Sequence, residues 1–261
     1  MGGGTAGLAV ATRLSQYLPD DSVLVIEAGP DGRNDPKIYV AGLKGSTLAG
    51  PYDWNFTTVP QPGANDRVIG QNRGKVLGGS SALNLLSYDR GVKADFDAWE
   101  ELGNDGWNWE SMHAAMQKAE TYQVTSVNGS VGIAEAGGVG YDGPIHALVN
   151  RFSPPQQELF FPTMQGLGLE QTFEFLNGDM IGWERHTSGI LNANYTRSYS
   201  PVYLNGAGSN LQVMLSTQVA KVNFDDKLCA KGVTLVDGTV IDAKKEVRQV
   251  EANCLDDLGI L

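Results

Sequence analysis

The opening residues, Met1-Gly2-Gly3-Gly4-Thr5-Ala6-Gly7, restrict the fold more than any other stretch of the chain. Gly2, Gly4 and Gly7 fit the spacing G-x-G-x-x-G, and Leu8, Ala11 and Leu14 then recur at helical spacing. Glycines let a backbone turn tightly and bring its N–H groups up to a pyrophosphate, while the N-terminus of the helix that follows offers partial positive charge to the anion. Pro19-Asp20-Asp21 ends that helix, and Ser22 to Ile26 is a short β-branched run that reads as a buried parallel strand. Glu27 stands 20 residues after Gly7, at the end of the strand, where a carboxylate can accept hydrogen bonds from a ribose. Turn, helix, strand and acid together predict an α/β fold with a dinucleotide site. The competing reading is a glycine-rich tail beside an ordinary surface glutamate.

One element is expected and not found. A parallel strand should precede the glycine turn, yet the turn begins at the first residue. Either the chain is shortened or another segment fills the gap, because an open edge would weaken the loop's anchor.

Composition narrows the partners. The formal charge is −11 over 261 residues, which is the wrong sign for a nucleic acid backbone or an anionic membrane surface. No apolar run approaches the ~20 residues of a membrane span. A small molecule or another protein is the expected partner. Cys229 and Cys254 make neither a disulfide framework nor a zinc site. Sequons at Asn55, Asn128 and Asn194, against about two expected by chance, do not establish secretion. The first residues lack a signal-peptide pattern, and cytoplasmic and secreted settings both stay open.

Residues 30–73 read as an extended loop region, which at that length is usually functional. From Ala94 to Glu120 the pattern is helical, broken at Gly103-Asn104-Asp105-Gly106, and residues 121–142 read as a surface loop. Leu211 to Leu215, Val219 to Phe224 and Gly232 to Val236 read as strands, the last ending at the turn Asp237-Gly238. No internal repeat is present.

Residues 74–91 supply a second glycine motif: Gly-Lys-Val-Leu-Gly-Gly-Ser-Ser-Ala-Leu-Asn-Leu-Leu-Ser-Tyr-Asp-Arg-Gly. It closely resembles the first signature of the glucose–methanol–choline (GMC) flavin oxidoreductases. Tyr52-Asp53-Trp54-Asn55, Val59-Pro60-Gln61-Pro62-Gly63, Phe96-Asp97-Ala98-Trp99 and the stretch from Thr187-Ser188-Gly189 to Tyr203-Leu204 resemble the family too. The resemblance runs over roughly residues 1–246. It implies a Rossmann-like FAD-binding domain, truncated at both ends, with a smaller α+β substrate domain. The implied boundaries are 1–142 and 206–261 for the FAD part and 143–205 for the substrate part.

By the same resemblance FAD would be held by Gly2, Gly4, Thr5, Ala6, Gly7 and Glu27, then by Arg73, Val76, Gly78, Gly79, Ser80, Ser81 and Asn84, with Val219 at the adenine. The alternative for the second motif is a Gly-Ser turn capping an apolar helix. Trp54, Trp99, Trp107 and Trp109 read as packing residues rather than a substrate cage. The acidic pairs Asp20-Asp21, Asp225-Asp226 and Asp256-Asp257 read as solvated turns, so no metal is expected.

The family's later parts, a second glycine-serine signature and a catalytic His with its His or Asn partner, are not found before the sequence ends at Leu261. Of the three histidines, His113 and His146 read as structural, and His186 is a weak candidate for a pocket group. Three functions remain open. One is an FAD-dependent oxidoreductase taking a small-molecule alcohol to a carbonyl, or a piece of one. The second is a non-redox enzyme on the same scaffold, with a pocket from His186, Tyr195 or Tyr199. The third is a catalytically dead paralogue that binds a protein partner completing the fold.

Overall fold

The computed structural model describes residues 1–127, 130–131, 138–172 and 174–247. The sequon Asn128, Cys254, the pair Asp256-Asp257 and the tail from Arg248 lie outside them. In chain order the main elements are α1 (Thr5–Tyr17), β1 (Val23–Ile26), α2 (Lys93–Glu101), α3 (Trp109–Ala119), β2 (Glu120–Gln123), β3 (Ile145–Val149), β4 (Thr187–Ser188), β5 (Leu211–Met214), β6 (Val219–Phe224), β7 (Ala230–Leu235) and β8 (Val240–Asp242). They fall into two compact units. Met1–Asn84 joins the chain from Tyr199 onward, and Leu85–Ser198 forms the other. The boundary read at 142/143 falls inside the second unit.

In the first unit α1 forms because Leu8, Ala11, Thr12 and Ser15 share one buried stripe. That stripe packs on β1 and β5 through Val25, Leu211 and Val213, with Leu77 and Leu204 filling in. β1 and β5 pair in parallel, Val23 opposite Leu211 through Ile26 opposite Met214. Gly2 N–H also donates to Ile26 O at 2.9 Å, so the first residues run beside the carboxyl end of β1. β6, β7 and β8 make a separate antiparallel sheet, order β6-β7-β8. Its Val233 and Leu235 bury Ile26. The parallel sheet predicted from sequence is therefore a pair of strands, and the resumed segment adds an antiparallel meander.

The stretch 30–73 is loop with a helical turn at Pro36–Tyr39, 3-10 turns at Ala41–Leu43 and Pro62–Ala64, and a two-residue pairing of Phe56–Thr57 with Gly70–Gln71. The second glycine motif does not open a helix. Gly79–Ala82 is a 3-10 turn, and the chain beyond it is irregular.

In the second unit α2 and α3 stand on either side of the predicted break, and an aromatic cluster of Phe96, Trp99, Trp107 and Trp109 joins them. The predicted surface loop at 121–142 is corrected at its start. β2 runs parallel to β3, which pairs antiparallel with β4, and Tyr122 is buried with Val139, Ala147 and Leu176. Polar neighbours hid this strand. Its first residue, Glu120, is fully buried against Arg90, whose guanidinium also bonds the carbonyls of Gly138 and Leu176. Gly140 N–H adds a bond to the same carboxylate. Removing either partner of such a pair strands a buried charge, at about 3–5 kcal/mol. Among the described residues no helix is long and apolar enough to cross a membrane.

Candidate functional site

The first glycine turn is closed by a side chain. Glu27 is buried, and its two oxygens accept N–H bonds from Gly3 and Gly29, each at 2.8 Å. Burial raises its pKa above the usual 4.5, and the N–H bonds from Gly29, Gly3 and Ala28 offset part of that rise. A methyl group on Gly7 would overlap the carbonyl of Gly2, so only glycine lets the turn fold back this far. α1 then begins at Thr5 with no side-chain cap and no acidic residue in its first turn. Its leading N–H groups are left without intrahelical acceptors.

The second turn meets the first. Gly78 N–H donates to Gly3 O at 2.7 Å. A Cβ on Gly79 would lie 2.8 Å from the Cα of Gly4, so the two backbones touch where neither residue has a side chain. Around them lies a crevice of about 570 Å³ lined by Gly2, Gly4, Thr5, Glu27, Trp54, Arg73, Gly79, Ser80 and the face of β6 from Val219 to Val222. That volume is within the ~300–1,000 Å³ usual for small-molecule sites.

Asp53 sets the rim. It is buried, and its carboxylate accepts the N–H groups of Ala49, Asn55 and Arg73 at 2.9–3.0 Å and the side-chain amide of Asn72. Burial alone would raise its pKa, but these donors win and hold it at about 2. Asp53 thus fixes the backbone on which Arg73 reaches the crevice. Trp54 forms part of the wall, stacked on Phe56 at 5.7 Å with the Lys75 ammonium 4.6 Å over its ring.

Of the residues singled out in the sequence, Gly2, Gly4, Thr5, Glu27, Arg73, Gly79, Ser80 and Val219 line this crevice. The others lie elsewhere. Ala6 is exposed on α1, and Asn84 is exposed beyond the 3-10 turn. Val76 is packed among Ile38, Ala82, Leu83 and Tyr199. Gly7 and Gly78 shape the turns from within. Ser81 is buried, its hydroxyl donating to Gly78 O at 2.6 Å, whereas Ser80 stays exposed and accepts Gly74 N–H at 3.1 Å.

His186 is exposed, its Nδ1 3.5 Å from Asp89. Tyr195 is tied to Asn150 and Arg151, and Tyr199 lies in the Val76 core. His113 is structural: its ring stacks on Trp109 and Nε2 lies 2.7 Å from Gly138 O. Trp54 departs from the packing role read for the tryptophans, and Asp53 carried no functional reading at all. The signal available for Asp53 was its place in the loop at 30–73, too long to be a mere connection.

A glycine turn running into α1, an acid at the end of the parallel strand beside it, and a second turn docked on the first define an α/β fold of the dinucleotide-cradling class. The family profile described as GMC oxidoreductase matches residues 1–252, and the chain belongs to that family. It is 36% identical over 228 residues to pyranose dehydrogenase 3 of Leucoagaricus meleagris, covering 85% of this chain and 37% of that one. Formate oxidase superposes with a TM-score of 0.81 at 27% identity, over 92% of this chain and 42% of the other. An FAD-dependent oxidoreductase from Chaetomium thermophilum gives 0.80 at 30% identity, over 93% and 43%. The chain spans about two-fifths of the length of these relatives.

Proposed function

We propose that the crevice binds FAD, and that this chain is the cofactor-binding portion of a GMC-type oxidoreductase that takes a small-molecule alcohol to its carbonyl. The observation that carries the reading is the meeting of Gly4 and Gly79 in one crevice with Glu27. No side chain stands between the two backbones, and a cradle of bare N–H groups suits a pyrophosphate.

The residues divide the work. Gly4, Thr5 and the uncapped start of α1 take the pyrophosphate, and the Arg73 guanidinium adds charge from the rim. Glu27 keeps lone pairs for the ribose after accepting Gly3 and Gly29. Val219 meets the adenine along β6, and Ser80 serves the flavin half. Gly7, Val76, Gly78 and Ser81 act behind the surface by keeping the turns in shape. FAD held there would supply the hydride acceptor for the alcohol carbon. The unit Leu85–Ser198, which holds most of the 143–205 stretch, is the substrate domain in this reading.

The test is direct. The purified chain is incubated with FAD, freed of unbound cofactor by gel filtration, and its spectrum recorded. A retained flavin band near ~450 nm, lost in Gly4→Val, is the expected result. No band in the wild-type chain overturns the proposal.

A further inference from the structure

Residues 199–201, far along the chain from either glycine motif, grip the second turn from behind. Ser81 Oγ donates to Gly78 O at 2.6 Å. Ser200 Oγ lies 3.0 Å from Ser81 Oγ and 3.3 Å from Gly78 O, and Ser200 N–H points to Ser81 Oγ at 3.3 Å. Ser200 is 2% exposed, so this exchange takes place out of water, where an unmade hydrogen bond costs most. The flanking residues close the sides. A Cβ on Gly78 would come within 2.8 Å of the Tyr199 ring and 3.0 Å of Pro201 Cδ. Gly78 itself has φ +98°, a conformation glycine adopts without strain.

The grip has a geometric consequence. A peptide unit is planar, so fixing the Gly78 carbonyl also fixes the direction of the Gly79 N–H and the place of the Gly79 Cα. Gly79 is the crevice residue that touches Gly4. The same segment reaches the first turn by another route. The 3-10 helix Ser200–Gly206 packs along α1, with Leu204 in the Leu8 core, Gly206 O accepting Gln16 Nε2 at 2.7 Å, and Gly208 N–H donating to Ser15 Oγ at 2.9 Å.

We propose that Ser200, with Tyr199 and Pro201, is a positioning element for the cofactor: through Ser81 and Gly78 it sets the spacing of the two glycine turns without itself lining the crevice. This rests on the FAD reading above. It assigns a binding role to residues whose own surroundings are a buried core, and it predicts that ligand affinity is lost faster than fold.

The full chain carries the test. FAD dissociation constants, the shape of the bound-flavin absorption band and Tm are measured for wild type, Ser200→Ala, Ser81→Ala, the double variant, and Thr125→Ala. Thr125 is a control of matched chemistry in the other unit, a buried hydroxyl donating to Val149 O at 2.5 Å. Ser200→Ala and Ser81→Ala should each weaken FAD about 5–30-fold and alter the flavin band. The double variant should be little worse than the poorer single, because both hydroxyls serve one carbonyl. Thr125→Ala should lower Tm and leave affinity alone. Wild-type affinity and band shape in Ser200→Ala, or an equal loss of affinity in Thr125→Ala, would overturn the positioning role while leaving the FAD reading intact. A wild-type chain that takes up no FAD overturns both.

Discussion

The two glycine turns reach the same crevice by different means. The first is local: Glu27, 24 residues from Gly3, reaches back and closes it with one carboxylate, and a regular helix follows. The second has no helix behind it. It is held by Asp53 on one side, through Arg73 N–H and Asn72, and by Ser200 on the other, 119 residues from Ser81. A turn backed by a helix carries its own anchor, whereas a turn in irregular chain has to borrow one from distant segments. Their carboxylates differ in the same sense. Glu27 accepts N–H bonds from Gly3, Gly29 and Ala28, and burial prevails, raising its pKa. Asp53 has four donors and they prevail, holding it at about 2.

The comparison breaks most severely at the junction. Gly79→Ala must displace Gly4 and also adopt φ +53°. It should cost more than about 1 kcal/mol of stability and abolish FAD retention, read by thermal unfolding and by the flavin band. Asp53→Asn comes next. Its loss should free Arg73 and weaken FAD about tenfold, the equivalent of about 1.4 kcal/mol, measured by flavin fluorescence titration. An unchanged affinity would mean that Arg73 needs no anchor.

The pH dependence sharpens the contrast, because the two carboxylates act with opposite sign. Asp53, with its folded pKa depressed, lends stability that is present above its ordinary 3.8 and lost as pH falls toward about 2. Glu27, with its folded pKa raised, lends stability that is full below its ordinary 4.5 and lost as pH rises through the folded value. Melting temperatures from pH 2 to 7 should therefore show Asp53→Asn flattening the acid limb, and Glu27→Gln flattening the limb above pH 4.5. The smallest effect is expected at the wall. Trp54→Leu should change FAD affinity only a few-fold, the range for loss of one aromatic contact.

Local signals were readable from residue order. Gly2, Gly4, Gly7 and Glu27 lie within one turn, one helix and one strand of each other, and the strand expected from Val219 to Phe224 has those bounds. What stayed hidden depends on distance along the chain. The strand Glu120–Gln123 carries a charged and two polar residues, and its burial makes sense only once Arg90 is known to meet Glu120. Ser81 reads as a hydroxyl for a ligand because the residue that claims it, Ser200, stands in another part of the sequence. Asn84 follows Ser81 closely yet is exposed, because it stands just past a short 3-10 turn and not on a helix that would carry it back to the same face.

The pairing of Val23 with Leu211 sets a timetable for synthesis. The strand that ends at Glu27 leaves the ribosome about 190 residues ahead of its neighbour in the sheet, and translation at ~5–20 residues per second makes that a wait of about 10–40 s. During the interval β1 lacks its sheet neighbour and the α1 stripe lacks Leu204, Leu211 and Val213, a state prone to aggregation. Chaperone cover over that interval would therefore raise the yield of soluble chain.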